Sequence, residues 1–562
     1  MSNAVSSIVP MSTQDHLTGV VRKNQWRDVF DGTVPKGWEP SMSVSVIIAA
    51  YNSKTLPLTL ASLAAQDYPE HLLEVIVVDD GSEPPVEIGE YSHPNTTLIR
   101  VDPETGWGRS NATYLGIEAS KGDIIYWVDS DMVLFRDNVR EHAKWAHFIP
   151  EAATIGQKGF VEEWDFTPES VYTMVGDGTV ADLWDPATLH EHWSEAIYRQ
   201  TDDLNASDGR NYSTHMGACA SVTRAVYEQT LGQDRRLRLG EDTEIAYQIW
   251  QAGGVFIPAR TARSWHLGRG TVQDHADKVA WHNNVHFAQR MPIPRYRRTA
   301  SNRTWEVPLV RAVVEFDMET VGYVRACVDR ILNSTETDVQ VDLVGPWHLI
   351  TPDRRRILAD PDNEIYLVKE WFRSDSRVRF LDEVPETVFP SPYRLDVPVT
   401  VGVTSDSVRD MYRYADQRRL GLVYFMAPGH SPEESVRIWD NAAVHRAQPY
   451  VTEGVSLVDA VDAVWGVEWA PESASQVEDL RAVDRTEKVV RVDSKVADLT
   501  ARLERTEWLL EKERRVNHST LRRGVRRVVY ALARRARPLV GSLRSRLSGV
   551  VGSEPQREAG KV

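Results

Sequence analysis

Cysteine is nearly absent: the 562 residues contain two, Cys219 and Cys327. They lie far apart and without metal-ligand spacing, which argues against a disulfide framework and fits a reducing compartment. Long apolar runs are missing too. No stretch reaches the roughly 18 residues that a membrane-spanning helix needs. Gln14 and Asp15 interrupt the first apolar residues, so no signal peptide is expected there. Positive charge is in short supply, and a net charge of −16 speaks against a nucleic-acid binder.

Apolar residues make up 42% of the chain and tryptophan occurs 18 times. That is enough for real cores, and the length suggests roughly two to four domains. The stretch Gly122–Asp131, GDIIYWVDSD, is the centre of the pattern. Its five apolar residues, Ile124 to Val128, are too few for a helix and suit a strand buried on both faces. The strand stops at Asp129-Ser130-Asp131. In an open α/β sheet ligands bind at the carboxyl ends of the strands. Two carboxylates one residue apart at such an end can share a hard divalent cation and leave positions free for phosphate oxygens. A bare Asp-x-Asp is also a common surface turn, so its neighbours decide.

Those neighbours form a series. A strand from Val44 ends at Ala50-Tyr51-Asn52, and a helix follows with Pro57 in its first turn and Leu56, Leu60, Leu63 and Ala64 on one face. A second strand, Glu74 to Val78, closes in Asp79-Asp80-Gly81-Ser82. Strand, helix and strand within about 40 residues make a βαβ unit and hence a parallel sheet. A third strand, Thr97–Val101, leads to Gly106-Trp107-Gly108-Arg109-Ser110-Asn111 and a helix. Downstream come Gly217–Ser221, then Leu239-Gly240-Glu241-Asp242 opening a helix, and finally Ser264-Trp265-His266-Leu267-Gly268.

In this order the segments resemble the inverting family 2 glycosyltransferases of bacterial type, over about residues 43–270. The resemblance implies a GT-A fold, a Rossmann-like nucleotide-sugar-binding α/β domain. It implies a nucleoside-diphosphate sugar as donor, bound by Tyr51, Asn52, Asp80, Arg109, Asn111, Asp129 and Ser130. A divalent metal would be held by Asp131 and His266, with Asp129 nearby, and the imidazole favours Mn²⁺ over Mg²⁺. Asp242 would be the catalytic base, with Glu241 beside it. One base and no carboxylate nucleophile give a single inverting displacement. The Q-x-x-R-W signature of processive members is absent, so one or a few sugars should be added per encounter.

Between Phe160 and Ser213, Trp164, Trp184, His190, His192 and Trp193 mark a segment over the sheet's mouth. Aromatic faces suit sugar rings, which makes Trp164, Trp184 and Trp193 candidate acceptor contacts; an ordinary covering subdomain is the alternative. The chain divides into a leader at 1–40 with Trp26, Phe30 and Trp38 as anchors, and a catalytic domain at 41–300. A second α/β domain follows at 305–470. Its strands near 310–316 and 339–344, with a helix from Val321 to Leu332 between them, echo residues 44–80. Further strands are expected at Val397–Val403 and Leu422–Met426. No convincing Asp-x-Asp or Glu-Asp pair recurs, so this domain reads as a degenerate GT-A-like unit or an unrelated α/β fold.

From 475 to 516 a seam of Val489, Val492, Val496, Leu499, Leu503, Thr506 and Leu510 suggests a coiled coil, and with it a homo-oligomer, or a helix packed on its own domain. Residues 517–549 hold nine arginines and no acid. A basic amphipathic tail at 517–562 on an acidic protein points to an anionic membrane surface. The expected protein is a cytoplasmic, peripheral enzyme at the inner membrane face, acting on a glycan or lipid-linked acceptor. The rival is a non-catalytic scaffold of the same fold, against which Asp131, Asp242 and His266 stand together.

Overall fold

The computed structural model describes residues 17 and 19–482, apart from 163, 186–188, 190, 269–274, 299–302, 353–356 and 361. The basic tail, the whole heptad seam from Val489 to Leu510, His190 and the first residues of the leader lie outside the described residues.

The apolar run Ile124–Val128 is a strand, β4, and it is buried along its whole length. It lies inside an eight-stranded sheet of order β3-β2-β1-β4-β7-β6-β8-β5. The other strands are β1 (Val44–Ala50), β2 (Leu73–Asp79), β3 (Thr96–Arg100), β5 (Met132–Leu134), β6 (Ala152–Val161), β7 (Cys219–Thr223) and β8 (Val255–Leu267). The strands β3, β2, β1 and β4 run parallel, as the βαβ pattern requires. The sheet is nevertheless mixed, not purely parallel, because β7 runs antiparallel between β4 and β6 and β5 runs antiparallel to β8. Helices α1 (Leu56–Ala64), α2 (Arg109–Ala119), α3 (Asn138–Phe148), α4 (Pro168–Asp177), α5 (Ser194–Gln200), α6 (Arg224–Tyr227) and α7 (Glu241–Gln251) surround it.

The leader is more deeply integrated than a polar arm. Trp26 and Phe30 each meet the ring of Trp145 edge-on at 5.1 Å. The buried Asn24 side chain donates to the carbonyls of Leu204 and Phe256, at 2.8 Å each. Trp38 packs against His147.

A second sheet has the order β11-β10-β9-β12-β15-β14-β16. Its strands are β9 (Val310–Glu315), β10 (Val339–Val344), β11 (Val378–Leu381), β12 (Tyr393–Asp396), β14 (Leu422–Phe425), β15 (Val436–Asp440) and β16 (Val467–Trp469). The order and the directions repeat the first sheet from β3 through β8: four parallel strands, two antiparallel pairings, then a parallel one. Val310 opens β9 opposite Val339 and Tyr393, as Val44 opens β1 opposite Leu73 and Ile124. Counted in step from those pairs, Asp80 corresponds to Pro346, Asp129 to Pro398 and Asp131 to Thr400. The helix leading into β16 starts Leu457-Val458 where α7 starts Glu241-Asp242. The repeat keeps the strand order without the acids.

Two expectations change here. Of the strand expected over Val397–Val403 only β13 (Val401–Val403) forms, and β12 ends before it at Asp396. The residues 477–479, expected to begin a helical region, instead form β17 (Val477–Asp479), antiparallel to β13.

The two sheets share a core. Tyr247, Ile249 and Trp250 of α7 belong to one buried cluster with Leu422, Trp439, Ala443, Val461 and Trp465. Burying each large side chain of this kind contributes about 1.5–3 kcal/mol. Polar contacts fix the same junction: Tyr247 donates to Pro390 O at 2.8 Å and Asn441 to Gln251 O at 3.2 Å. The guanidinium of Arg446, 1% exposed, donates to the carbonyls of Gly253, Val21 and Lys23. Replacing it with Met leaves three carbonyls without that donor. Hydrogen bonds to a charged group are worth about 1.5–3 kcal/mol, so Arg446→Met is expected to lose about 3 kcal/mol or more in urea unfolding. A loss below about 1 kcal/mol would show that the junction does not depend on this residue.

Candidate functional site

The carboxyl end of β4 carries Asp129, Ser130 and Asp131 directly into β5. Register explains what they meet. Met132, the first residue of β5, pairs with His266 on β8, and the carbonyl of Asp131 accepts from Leu267 N, which brings Asp131 alongside the same strand. His266 Nε2 lies 3.7 Å from Asp131 Oδ1. Donor atoms of Asp129, Asp131 and His266 all fall within 4.8 Å of one another. Ser130 serves the turn through its carbonyl, which accepts from Ser53 Oγ at 3.1 Å and Thr55 Oγ1 at 2.9 Å. The residue pair Ser53 and Thr55 escaped sequence reading because neither belongs to a charged motif.

Burial pushes the Asp131 carboxyl up to about 7, with the charge of Asp129 adding to it and Arg109 opposing it. Its Oδ1 is buried without a hydrogen-bond partner. Burial lowers His266 below the usual imidazole range, which keeps it neutral and able to act as a ligand. An orphaned carboxylate oxygen, a second acid and a neutral imidazole at one point form a donor set that fits a divalent cation.

Arg109, the first residue of α2, stands between this cluster and α7. It contacts Asp129 Oδ1 at 2.5 Å through one guanidinium nitrogen and Glu241 Oε1 at 3.1 Å through Nε. Gly240 precedes α7 in the left-handed region at φ +77°, and a Cβ there would lie 2.5 Å from the Phe287 ring. The helix therefore starts abruptly, with Glu241 buried and Asp242 partly open. Burial pushes Glu241 up to about 7, opposed by the Arg109 charge and helped by Asp242. Asp242 Oδ1 accepts from its neighbour Thr243 N at 2.7 Å. A cavity beside them is lined by Arg109, Trp127, His215, Gln233, Glu241 and Asp242.

Around Asp80 the two adjacent acids divide their work. Asp79 is buried and holds the turn, accepting from Ser82 N and pairing with Arg100 at 2.7 Å each. Asp80 Oδ2 accepts from Gly108 N at 2.7 Å, while its Oδ1 is buried without a partner. Burial raises the Asp80 carboxyl. Tyr51 is exposed at the same edge. Asn52 locks the turn, its Oδ1 accepting from Glu83 N at 2.9 Å. Asn111 is buried and accepts from Arg235 Nε at 2.7 Å.

The three tryptophans do not converge. Trp164 and Trp184 line one open groove with Glu162, Asp165, Phe166 and Leu183, and Trp184 stands edge-on to Trp265 at 5.3 Å. Trp193 lies next to His192, which stacks on Phe160, and Phe160 in turn covers His266. Lys158 was also missed. It pairs with Ser264 on β8, two residues from His266, and has no ion pair among the described residues. Burial lowers its ammonium.

The family model described as Glycosyl transferase family 2 matches residues 45–230. Residues 45–230 thus carry a family 2 glycosyltransferase domain. Among curated relatives, the chain is 22% identical to a hyaluronan synthase of Pasteurella multocida over 61% of its own length and 36% of the relative. It is 23% identical to a chondroitin synthase of Escherichia coli over 67% of its chain and 54% of that relative. It thus spans about half or less of the length of these two relatives. A similar solved structure is the mannosyltransferase PcManGT from Pyrobaculum calidifontis in complex with GDP-Man and Mn²⁺. The identity is 20%, covering 46% of this chain and 66% of that one, at a TM-score of 0.30.

Among the described residues Asp129, Asp131 and His266 form the one such donor cluster, so calorimetric titration with Mn²⁺ should find one site per chain, lost in Asp131→Ala. Asp131 must shed its proton to bind. Affinity should therefore hold above pH 7 and fall up to about tenfold for each unit below it. A flat profile from pH 5 to 8 would show that the Asp131 carboxyl is ionised well below pH 7, and an unchanged site in Asp131→Ala would remove it from the ligand set.

Proposed function

We propose that this glycosyltransferase moves a sugar from a nucleoside-diphosphate sugar to a hydroxyl of a glycan or lipid-linked acceptor, with inversion, and depends on a divalent cation, Mn²⁺ before Mg²⁺. The observation that carries this reading is the placement of Asp242 across Arg109 from the Asp129, Asp131 and His266 cluster. Donor and acceptor chemistry then face each other over one guanidinium.

In this reading Asp129, Asp131 and His266 hold the cation, which when bound would offset the charge of the departing nucleoside diphosphate. Asp80, with its unpartnered Oδ1, takes the nucleotide base, and Tyr51 flanks it. Asn52 and Asn111 shape the nucleotide site from the turn and from beneath. Asp242 accepts the proton of the acceptor hydroxyl as that oxygen attacks the anomeric carbon, and the bond to the diphosphate oxygen breaks on the opposite face. Glu241, buried against Arg109, positions that arginine and the start of α7. Trp164 and Trp184 offer an aromatic groove for an acceptor glycan, with Trp193 as a further contact. The names of the relatives, synthases of hyaluronan and chondroitin, favour a growing glycan as acceptor. No helix among the described residues is long and apolar enough to cross a membrane; the arginine-rich tail supports peripheral attachment at the inner face.

Asp242→Asn keeps the shape and removes the base, so transfer should fall about 10²–10⁴-fold, with Mn²⁺ and nucleotide affinity unchanged. Glu241→Gln should cost less turnover. A fully active Asp242→Asn enzyme would refute the assignment of the base, and the scaffold reading would gain if wild-type protein released no nucleoside diphosphate from any donor. For the tail, truncation after about residue 516 should reduce binding to anionic vesicles without changing donor hydrolysis. Equal binding to neutral vesicles would exclude the electrostatic account.

A further inference from the structure

The loop before α2 carries an aromatic ring that the donor-site reading has not used. Trp107 is 62% exposed, among the most exposed large side chains described, and Tyr51 is 64% exposed. Both lie at Asp80. Tyr51 follows Ala50, whose carbonyl accepts from Asp80 N, and Trp107 precedes Gly108, whose N–H donates to Asp80 Oδ2. An acid with one buried, unpartnered oxygen is thus flanked by two exposed aromatic residues. Exposed aromatics cost hydration free energy unless something covers them, and planar bases stack on them readily.

One face of Trp107 is already supported. The guanidinium carbon of Arg238 lies 4.5 Å from the ring centroid. Arg238 reaches it from the segment that leads into α7, and its Nη1 donates to Arg235 O at 2.8 Å. It forms no ion pair among the described residues. Gly108 sits at φ +100°, and a Cβ there would come within 2.9 Å of Arg238 Cδ. The glycine therefore admits the arginine, and the arginine fixes the indole.

Resting on the donor-site reading above, we propose that Trp107 is a nucleobase-stacking residue of the donor site, and that Arg238 positions it. Asp80 reads the edge of the base, and Trp107 offers a face to its ring. Arg238 backs the indole from the other side and adds a positive charge near the nucleotide. A stacking surface is indifferent to the phosphates, so its contribution should vanish for a ligand that has a diphosphate and no base.

The experiment uses the full chain with Mn²⁺ and three probes, UDP, GDP and inorganic pyrophosphate, titrated calorimetrically. Wild-type protein is expected to bind one of the two nucleotides more tightly than pyrophosphate. Trp107→Ala should weaken that nucleotide about tenfold and leave pyrophosphate unchanged, while Trp107→Phe keeps most of the affinity. Arg238→Ala should weaken the nucleotide less, and should add little when combined with Trp107→Ala, because it acts through the indole. If Trp107→Ala weakens nucleotide and pyrophosphate equally, or neither, the stacking role is overturned while the donor site stands. If wild-type protein binds none of the three probes, the donor-site reading fails and the stacking role fails with it.

Discussion

Everything at the mouth of the first sheet is arranged around the charge of Arg109. Asp129 comes from the end of β4 and Glu241 from the head of α7, and each contacts the same guanidinium. Without it, acids from two elements would face one another in a partly buried space, where like charges are costly. The arginine is the only one of these groups that touches both sides. It sets the spacing between the candidate cation site and the candidate base, and it ties the start of α2 to the start of α7. Gly217 leaves room for it, since a Cβ there would lie 2.8 Å from its terminal nitrogen.

Much of this was legible in the sequence, for a physical reason. Strand ends in an α/β sheet carry the polar residues that meet ligands, so Asp80 and Asp129-Ser130-Asp131 announce themselves as acids after apolar runs. Glu241-Asp242 shows likewise as an acidic pair opening a helix. The convergence of Asp131 with His266 depends on the pairing of β5 with β8, which a linear reading supplies only through resemblance. What escaped was residues whose role is fixed by distant partners. Asn52 and Asn111 sit in the expected motifs, yet their side-chain oxygens are engaged by Glu83 and Arg235. Ser53, Thr55 and Lys158 carry no motif at all. The antiparallel placement of β7 and the pairing of β13 with β17 were hidden for the same reason: short strands acquire their identity from a neighbour remote in the chain.

The second sheet repeats the first in order and in register but not in chemistry. Proline, valine and threonine at 398–400 occupy the place of Asp129, Ser130 and Asp131, and Leu457-Val458 the place of Glu241-Asp242. Sheet architecture is maintained by backbone pairing and apolar burial, so a repeat can lose the acids at the positions of Asp80, Asp129 and Asp131 and keep its strand order. That separation explains why the echo of residues 44–80 was visible in the spacing of strands and helix, while motif searching found nothing.

The helix α7 joins the two halves. Its first turn presents Glu241 and Asp242 to the site, and its last turn is buried against the second sheet, with Asn441 on the carbonyl of Gln251 and Arg446 on that of Gly253. A chain ending near residue 300 would carry every motif by which the family is recognised. It would also uncover the faces of Tyr247 and Trp250 that pack on the second sheet and leave the end of α7 without its donors. The acidic pair thus owes its position to a sheet that has none of its own. A break in the chain between the two sheets would therefore remove the support beneath the motif-bearing half, although it touches none of the motifs.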